Sequence, residues 1–145
     1  MAELTSSRTT IAATPQRVLD VIADLHAYPE WNGEIRSVEV LQTERDGRPR
    51  QVRISISSTG MTDEYTLAYS WAADGVSWTL VTPSALQKSQ VGSYHLVETA
   101  DGTDVRYDLK IDAKIPMIGP MRRKIEKRIV DGALKELKKR VESLG

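Results

Sequence analysis

The side chains of this sequence that could do chemistry are aromatic. It has five tyrosines and three tryptophans but no phenylalanine among 145 residues. Six of the eight fall in alternating stretches: Tyr65, Tyr69 and Trp71 in "DEYTLAYSWAA", Trp78 in "VSWTLV", Tyr94 in "QVGSYHLVET" and Tyr107 in "DVRYDLKIDA". A phenol or an indole has an apolar body and a polar tip, and once buried it wants a hydrogen-bond partner. Such residues suit a pocket with apolar walls and few polar anchors. They suit proton transfer less well, because an unassisted tyrosine, with a pKa of about 10, is a weak acid at neutral pH.

Other chemistries lack their residues. There is no cysteine, so disulfides, thiol nucleophiles and Cys-ligated metals are excluded. His26 and His95 have no neighbour at metal-ligand spacing. No Gly-x-Ser-x-Gly elbow, phosphate-cradling loop or dinucleotide fingerprint occurs, and no cofactor or metal is expected. A basic patch interleaved with aromatics is missing too, so nucleic acid is not an expected partner. Arg53, Arg106, Asp108 and Lys110 alternate with apolar residues and are expected to face solvent. That leaves no inward carboxylate, histidine or arginine to drive a reaction.

The elements that position these aromatics follow from period and punctuation. Residues 3–13 read as a first strand. Thr14-Pro15 starts a short helix carrying Val18, Val21, Ile22 and Leu25. Pro29 is expected to end it, because a residue before proline avoids the helical region. Six alternating segments follow, joined by turns that include Asp46-Gly47, Asp74-Gly75, Asp101-Gly102 and Ser58–Gly60. Short turns make successive strands antiparallel, with the N-terminal strand pairing at an edge. After Gly119-Pro120 the period becomes helical: Met121, Ile125, Ile129, Ala133, Leu137 and Val141 lie four apart, with Val130 and Leu134 widening the stripe. Gly132 within this helix is read as a point of close packing, with room for something between helix and sheet as the functional counterpart.

A straight helix laid on a curved sheet leaves a cleft between them. Apolar residues at Met61, Pro83–Leu86 and Ile115–Ile118 are expected near its mouth, the last as a gate. Charge is uneven although the total is balanced. Residues 117–145 carry nine Lys/Arg against four Asp/Glu, whereas residues 1–116 carry 11 against 16. This is read as a solvated helix face, with Glu126 among its interruptions, and peripheral membrane contact through the basic helix is the functional counterpart. No run approaches the roughly 18–20 apolar residues of a spanning helix, and no secretory signal is visible, so the expected compartment is the cytoplasm.

The order of elements resembles the START-like, helix-grip superfamily, also called SRPBCC. That group holds the birch-pollen allergens, polyketide aromatase/cyclases and coenzyme-Q-binding proteins. The resemblance is carried by "ATPQRVLDVIADLHAYPEWNGEIRSVEVL" (13–41), "YTLAYSW" (65–71), "VSWTLV" (76–81), "GSYHLVE" (92–98), "DVRYDLKID" (104–112) and "IPMIGPMRRKIEKRIVDGALKELKKRVE" (115–142). The chain looks most like small actinobacterial polyketide cyclase/dehydrase proteins. The resemblance implies one α+β helix-grip domain over 1–145. Its curved seven-stranded antiparallel sheet wraps a long C-terminal helix, and two short helices follow the first strand. In it Tyr28 and Trp31 plug one end of the grip.

The expected function is binding of a small hydrophobic or amphipathic ligand, of lipid, polyketide or isoprenoid type, between sheet and helix. The expected contacts are Trp31, Ile54, Tyr65, Tyr69, Trp71, Trp78, Tyr94, Tyr107, Leu109, Met121, Ile125 and Ile129. Two alternatives stand beside it. One is an aromatase/cyclase or dehydrase in the same cavity; the other is an interaction module whose cavity is filled.

Overall fold

A computed structural model describes residues 4–58 and 60–144. The elements run β1 (Thr5–Ile11), α1 (Pro15–Ala23), a 3₁₀ turn (Leu25–Ala27), α2 (Tyr28–Trp31), β2 (Ile35–Thr43), β3 (Pro49–Ser58), β4 (Met61–Ala72), β5 (Gly75–Leu80), β6 (Gln87–Thr99), β7 (Gly102–Ala113) and α3 (Gly119–Leu144). One antiparallel sheet holds the strands in the order β1-β7-β6-β5-β4-β3-β2. This is the α+β helix-grip architecture. Glu3 of the expected first strand and Thr59 of the expected Ser58–Gly60 turn lie outside the described residues.

Alternation sets the faces. Val52 and Ile54, Leu67 and Tyr69, Val76 and Trp78, Tyr94 and Leu96, and Val105, Tyr107 and Leu109 are all buried on the inner face. Burying one such aliphatic side chain contributes about 1.5–3 kcal/mol. Bulges in β2, between Ile35 and Ser37 and between Val40 and Gln42, bend that edge strand.

Pro29 does not end α1. That helix stops at Ala23, with Asp24 as its cap, and Tyr28 is helical at φ −53°, ψ −42°. Pro29 instead occupies the first turn of α2, where its missing N–H would have no intrahelical acceptor anyway. At the other end of α1, Thr14 accepts a hydrogen bond from the Arg17 N–H.

The buried row of α3 is Glu126, Val130, Leu134, Leu137 and Val141; the last four belong to the expected stripe, and the difference lies in the first turns, where Glu126 is buried in place of Ile125. Met121 and Ile125 are exposed and Ile129 is half-buried. Glu126, expected in solvent, is 1% exposed. Its carboxylate accepts from the Ile111 N–H at 2.7 Å and from the Thr5 hydroxyl at 2.6 Å. The contact is local: Thr5 pairs with Leu109 at the start of β1, and Glu126 bonds the β7 backbone two residues further on.

Further clasps run along the same seam. Ser7 bonds both Asp131 and Lys127, Lys138 donates to the Thr10 carbonyl, and Glu142 accepts from the Ala12 N–H. The helix is therefore drawn over β1 and β7, and it covers the β1 edge that would otherwise offer unpaired groups. Asp108 is also buried rather than solvent-facing. On the outer face of β7 it accepts from Ser6 and from Arg106 Nε.

Candidate functional site

With α3 clasped along β1 and β7, space is left between the helix and the inner faces of β3 to β7. A cavity of about 340 Å³ fills that space, within the range of small-molecule sites. Its exposed lining residues, which mark the opening, are Gly33, Glu34, Arg128, Gly132 and Glu136. No residue of 115–118 lines it, so that loop is not its gate. Gly132 is not a close-packing point either. A Cβ built there meets no atom within 4 Å, and the missing side chain widens the opening.

Eight of the twelve expected contact residues come together here: Ile54, Tyr65, Tyr69, Trp78, Tyr94, Tyr107, Leu109 and Ile129. The other four stand elsewhere. Trp31 packs on Tyr28 at 4.8 Å and faces a smaller hollow with Asp20, Asp24 and Arg140. Trp71 lies beyond the cavity on β4, donating to the Pro49 carbonyl at 2.6 Å beneath the Arg48 guanidinium. Met121 and Ile125 stand on the exposed first turns of α3.

The aromatic wall is continuous. Trp78 sits 5.5 Å from Tyr94, 5.6 Å from Tyr107 and 5.7 Å from Tyr69, and Tyr94 and Tyr107 are 4.6 Å apart. Gly92 makes the arrangement possible. It pairs with Trp78 across the ladder, and a Cβ there would fall 2.4 Å from the indole. Tyr28 spends its hydroxyl on the Ile22 carbonyl at 2.6 Å. The hydroxyls of Tyr65, Tyr69, Tyr94 and Tyr107 have no protein partner among the described residues, yet none is sealed off; the sealed, unpaired side-chain atom is Trp31 Nε1. Burial first, and neighbouring groups second, hold all five phenols above their ordinary range.

Sequence reasoning missed the cavity's polar end. Trp78 Nε1 donates to Gln90 Oε1 at 2.9 Å, Gln90 Nε2 to Gln87 Oε1 at 2.7 Å, and Gln87 Nε2 to Asp63 Oδ2 at 3.2 Å. Ser84 and the Glu64 N–H complete the shell of Asp63, which is 4% exposed. Gln87 and Gln90 line the cavity; Asp63 stands behind them. Residues three apart belong on opposite faces of a regular strand. A register shift between Gln87 and Ser89 turns both glutamines inward. The available signal was the period-two partnership of Asp63 with Tyr65.

This arrangement can hold a mostly apolar molecule and hydrogen-bond its polar atoms. It is poorly equipped for acid–base work. The phenols are weaker acids than usual, the carboxylates of the lining, Glu34 and Glu136, stand at the opening, and Asp63 behind the polar end already accepts three hydrogen bonds. His95 lies 4.0 Å from Asp74 and is half-exposed. Among the described residues no three His, Cys, Asp or Glu side chains are grouped to hold a metal.

Comparisons with known proteins agree with this geometry. Residues 1–142 match the profile of the family described as polyketide cyclase / dehydrase and lipid transport. A START superfamily protein from Mycobacterium smegmatis is 27% identical with a TM-score of 0.91, over 99% of this chain and 100% of that one. An aromatase/cyclase from a Streptomyces species shares the fold at 14% identity and a TM-score of 0.75, over 96% and 93% of the two chains. A STAR-related lipid transfer protein from Xanthomonas axonopodis does so at 17% and 0.69, over 94% and 84%. No curated protein sequence matches the chain significantly.

Proposed function

The chain belongs to the polyketide cyclase / dehydrase and lipid transport family, and we propose that residues 1–145 act as one domain that binds a small amphipathic ligand of lipid, polyketide or isoprenoid type. The observation that carries this is the set of four tyrosine hydroxyls, unpartnered among the described residues, at the wall of a cavity that also holds Ile54, Leu67, Leu109 and Ile129. Tyr69, Tyr94 and Tyr107 hydrogen-bond the ligand's polar atoms, while Ile54, Leu109 and Ile129 contact its apolar body. An aromatase/cyclase is disfavoured by the raised phenols and by the position of Asp63, which stands behind the lining and already accepts from Ser84, Gln87 and the Glu64 N–H. A filled interaction module is disfavoured by the open volume. The cytoplasm is the compartment proposed, in keeping with a chain that has no cysteine.

Tyr69→Phe and Tyr107→Phe test the binding reading against catalysis. Loss of one neutral hydrogen bond should weaken a bound ligand by about 0.5–1.5 kcal/mol while packing is kept. A turnover defect of about 10²–10⁴-fold on a poly-β-ketone, with binding intact, would instead make the tyrosine an acid catalyst and overturn the binding-only reading.

We also propose an anionic bilayer as a surface partner. Ile115, Ile118, Met121 and Ile125 are exposed beside Arg122, Arg123 and Lys124, the pairing of apolar and basic groups that a lipid surface recognises. No helix of the described residues is long and apolar enough to cross a membrane. Co-sedimentation with phosphatidylserine vesicles should fall on Ile118→Glu and at high salt; vesicle binding indifferent to both would contradict the assignment.

A further inference from the structure

The polar end of the cavity has a direction, and the direction selects a ligand. An indole N–H can only donate, so Trp78 obliges Gln90 to present its oxygen and keep its nitrogen for Gln87. Gln87 must then offer Oε1 to Gln90 and Nε2 to Asp63, whose oxygens accept. Both amide orientations are thus fixed from the two ends of the chain. Each Nε2 carries two hydrogens and spends one on the relay. Each therefore retains one N–H that no described residue accepts, on a side chain that lines the cavity.

We propose that Gln87 and Gln90 form a recognition site for a neutral carbonyl oxygen, so that the ligand enters with a ketone, ester or lactone group leading. This rests on the binding function proposed above and names the ligand class for it. A buried donor without an acceptor is costly, and a carbonyl satisfies it without bringing charge. A carboxylate fits poorly at this end. Asp63 already stands one carboxamide away, and the cation of the lining, Arg128, is at the opening. Two carboxylates without a cation between them would meet in a desolvated site.

The test uses 2-acetylnaphthalene and 2-ethylnaphthalene, which differ by a carbonyl in place of a methylene. Their affinities are measured on the wild type and on Gln90→Glu, which still accepts from Trp78 but has no amide N–H. Gln87→Met serves as a second variant should the first fold poorly. The ratio of affinities, ketone over hydrocarbon, should drop by about 3–10-fold in the variant, the worth of one neutral hydrogen bond. The infrared carbonyl stretch of ¹³C-labelled ketone should lie lower in the wild type than in the variant. Naphthalene-2-carboxylate, offered to Arg128→Gln protein so that the rim cation cannot hold it reversed, should bind at least about tenfold more weakly than the ketone. An unchanged ratio with an unshifted stretch, both compounds binding, would overturn the carbonyl site and leave the binding function standing. Tight carboxylate binding in Arg128→Gln would overturn the preference for a neutral group. Failure of both naphthalenes to bind the wild type would contradict the binding function and this site together.

Discussion

Phenols shielded from bulk water resist ionisation, and desolvation holds all five tyrosines of this chain above their ordinary range. Their pKa is higher folded than unfolded. The stability they contribute is therefore intact below pH about 10, the unfolded value, and is lost as pH climbs toward the folded ones. Phenolate absorbance should accordingly rise together with the loss of far-ultraviolet circular dichroism in an alkaline titration. Phenolate formed near pH 10 in a protein whose fold is intact would show that the cavity does not shield them. At this scale the sequence was half legible. Tyr65, Tyr69, Tyr94 and Tyr107 could be placed inward because period two is kept through their strands. Gln87 and Gln90 could not, because a bulge breaks the period between them and leaves no local mark in residue type. Asp63 was hidden for a different reason: a carboxylate at a strand's start reads as a turn residue until its buried partners are known.

Helix α3 shows how one polar residue can overrule an apolar stripe. The four-residue spacing from Met121 to Val141 was a real amphipathic signal, and it located the helix correctly. Glu126 then rotated the first turns of the helix, because its carboxylate accepts from the Ile111 N–H and the Thr5 hydroxyl. Energetics should follow the observed row. Leu137 is fully buried, so Leu137→Ala should cost about 2–5 kcal/mol. Ile129 borders open volume, so Ile129→Ala should cost less than that and mainly enlarge the cavity. Chemical-denaturation midpoints for the two variants give the comparison. Equal losses would place Ile129 in the packed core and contradict the position of the cavity beside it. The same reasoning explains why Pro29 misled: proline restricts its predecessor on average, but the first turn of α2 tolerates both residues.

For the whole molecule, the cavity is a consequence of where α3 is tied. Clasps from Thr5, Ser7, Thr10 and Ala12 hold the helix along β1, and between it and the inner faces of β3 to β7 a cavity remains. The topology was legible because turns and alternation are local. The lateral placement of the helix was not, because it depends on contacts more than a hundred residues apart in sequence. The central claim is that this volume is a binding site. It is tested most directly by titrating a neutral fluorescent probe, N-phenyl-1-naphthylamine, into the wild type and into Ala133→Phe, which places a ring in the cavity from α3. The wild type should bind one equivalent with blue-shifted emission, and Ala133→Phe should bind at least about tenfold more weakly while keeping its thermal midpoint within about 5 °C. Undiminished binding in a folded Ala133→Phe protein, or no binding in the wild type, would contradict the account.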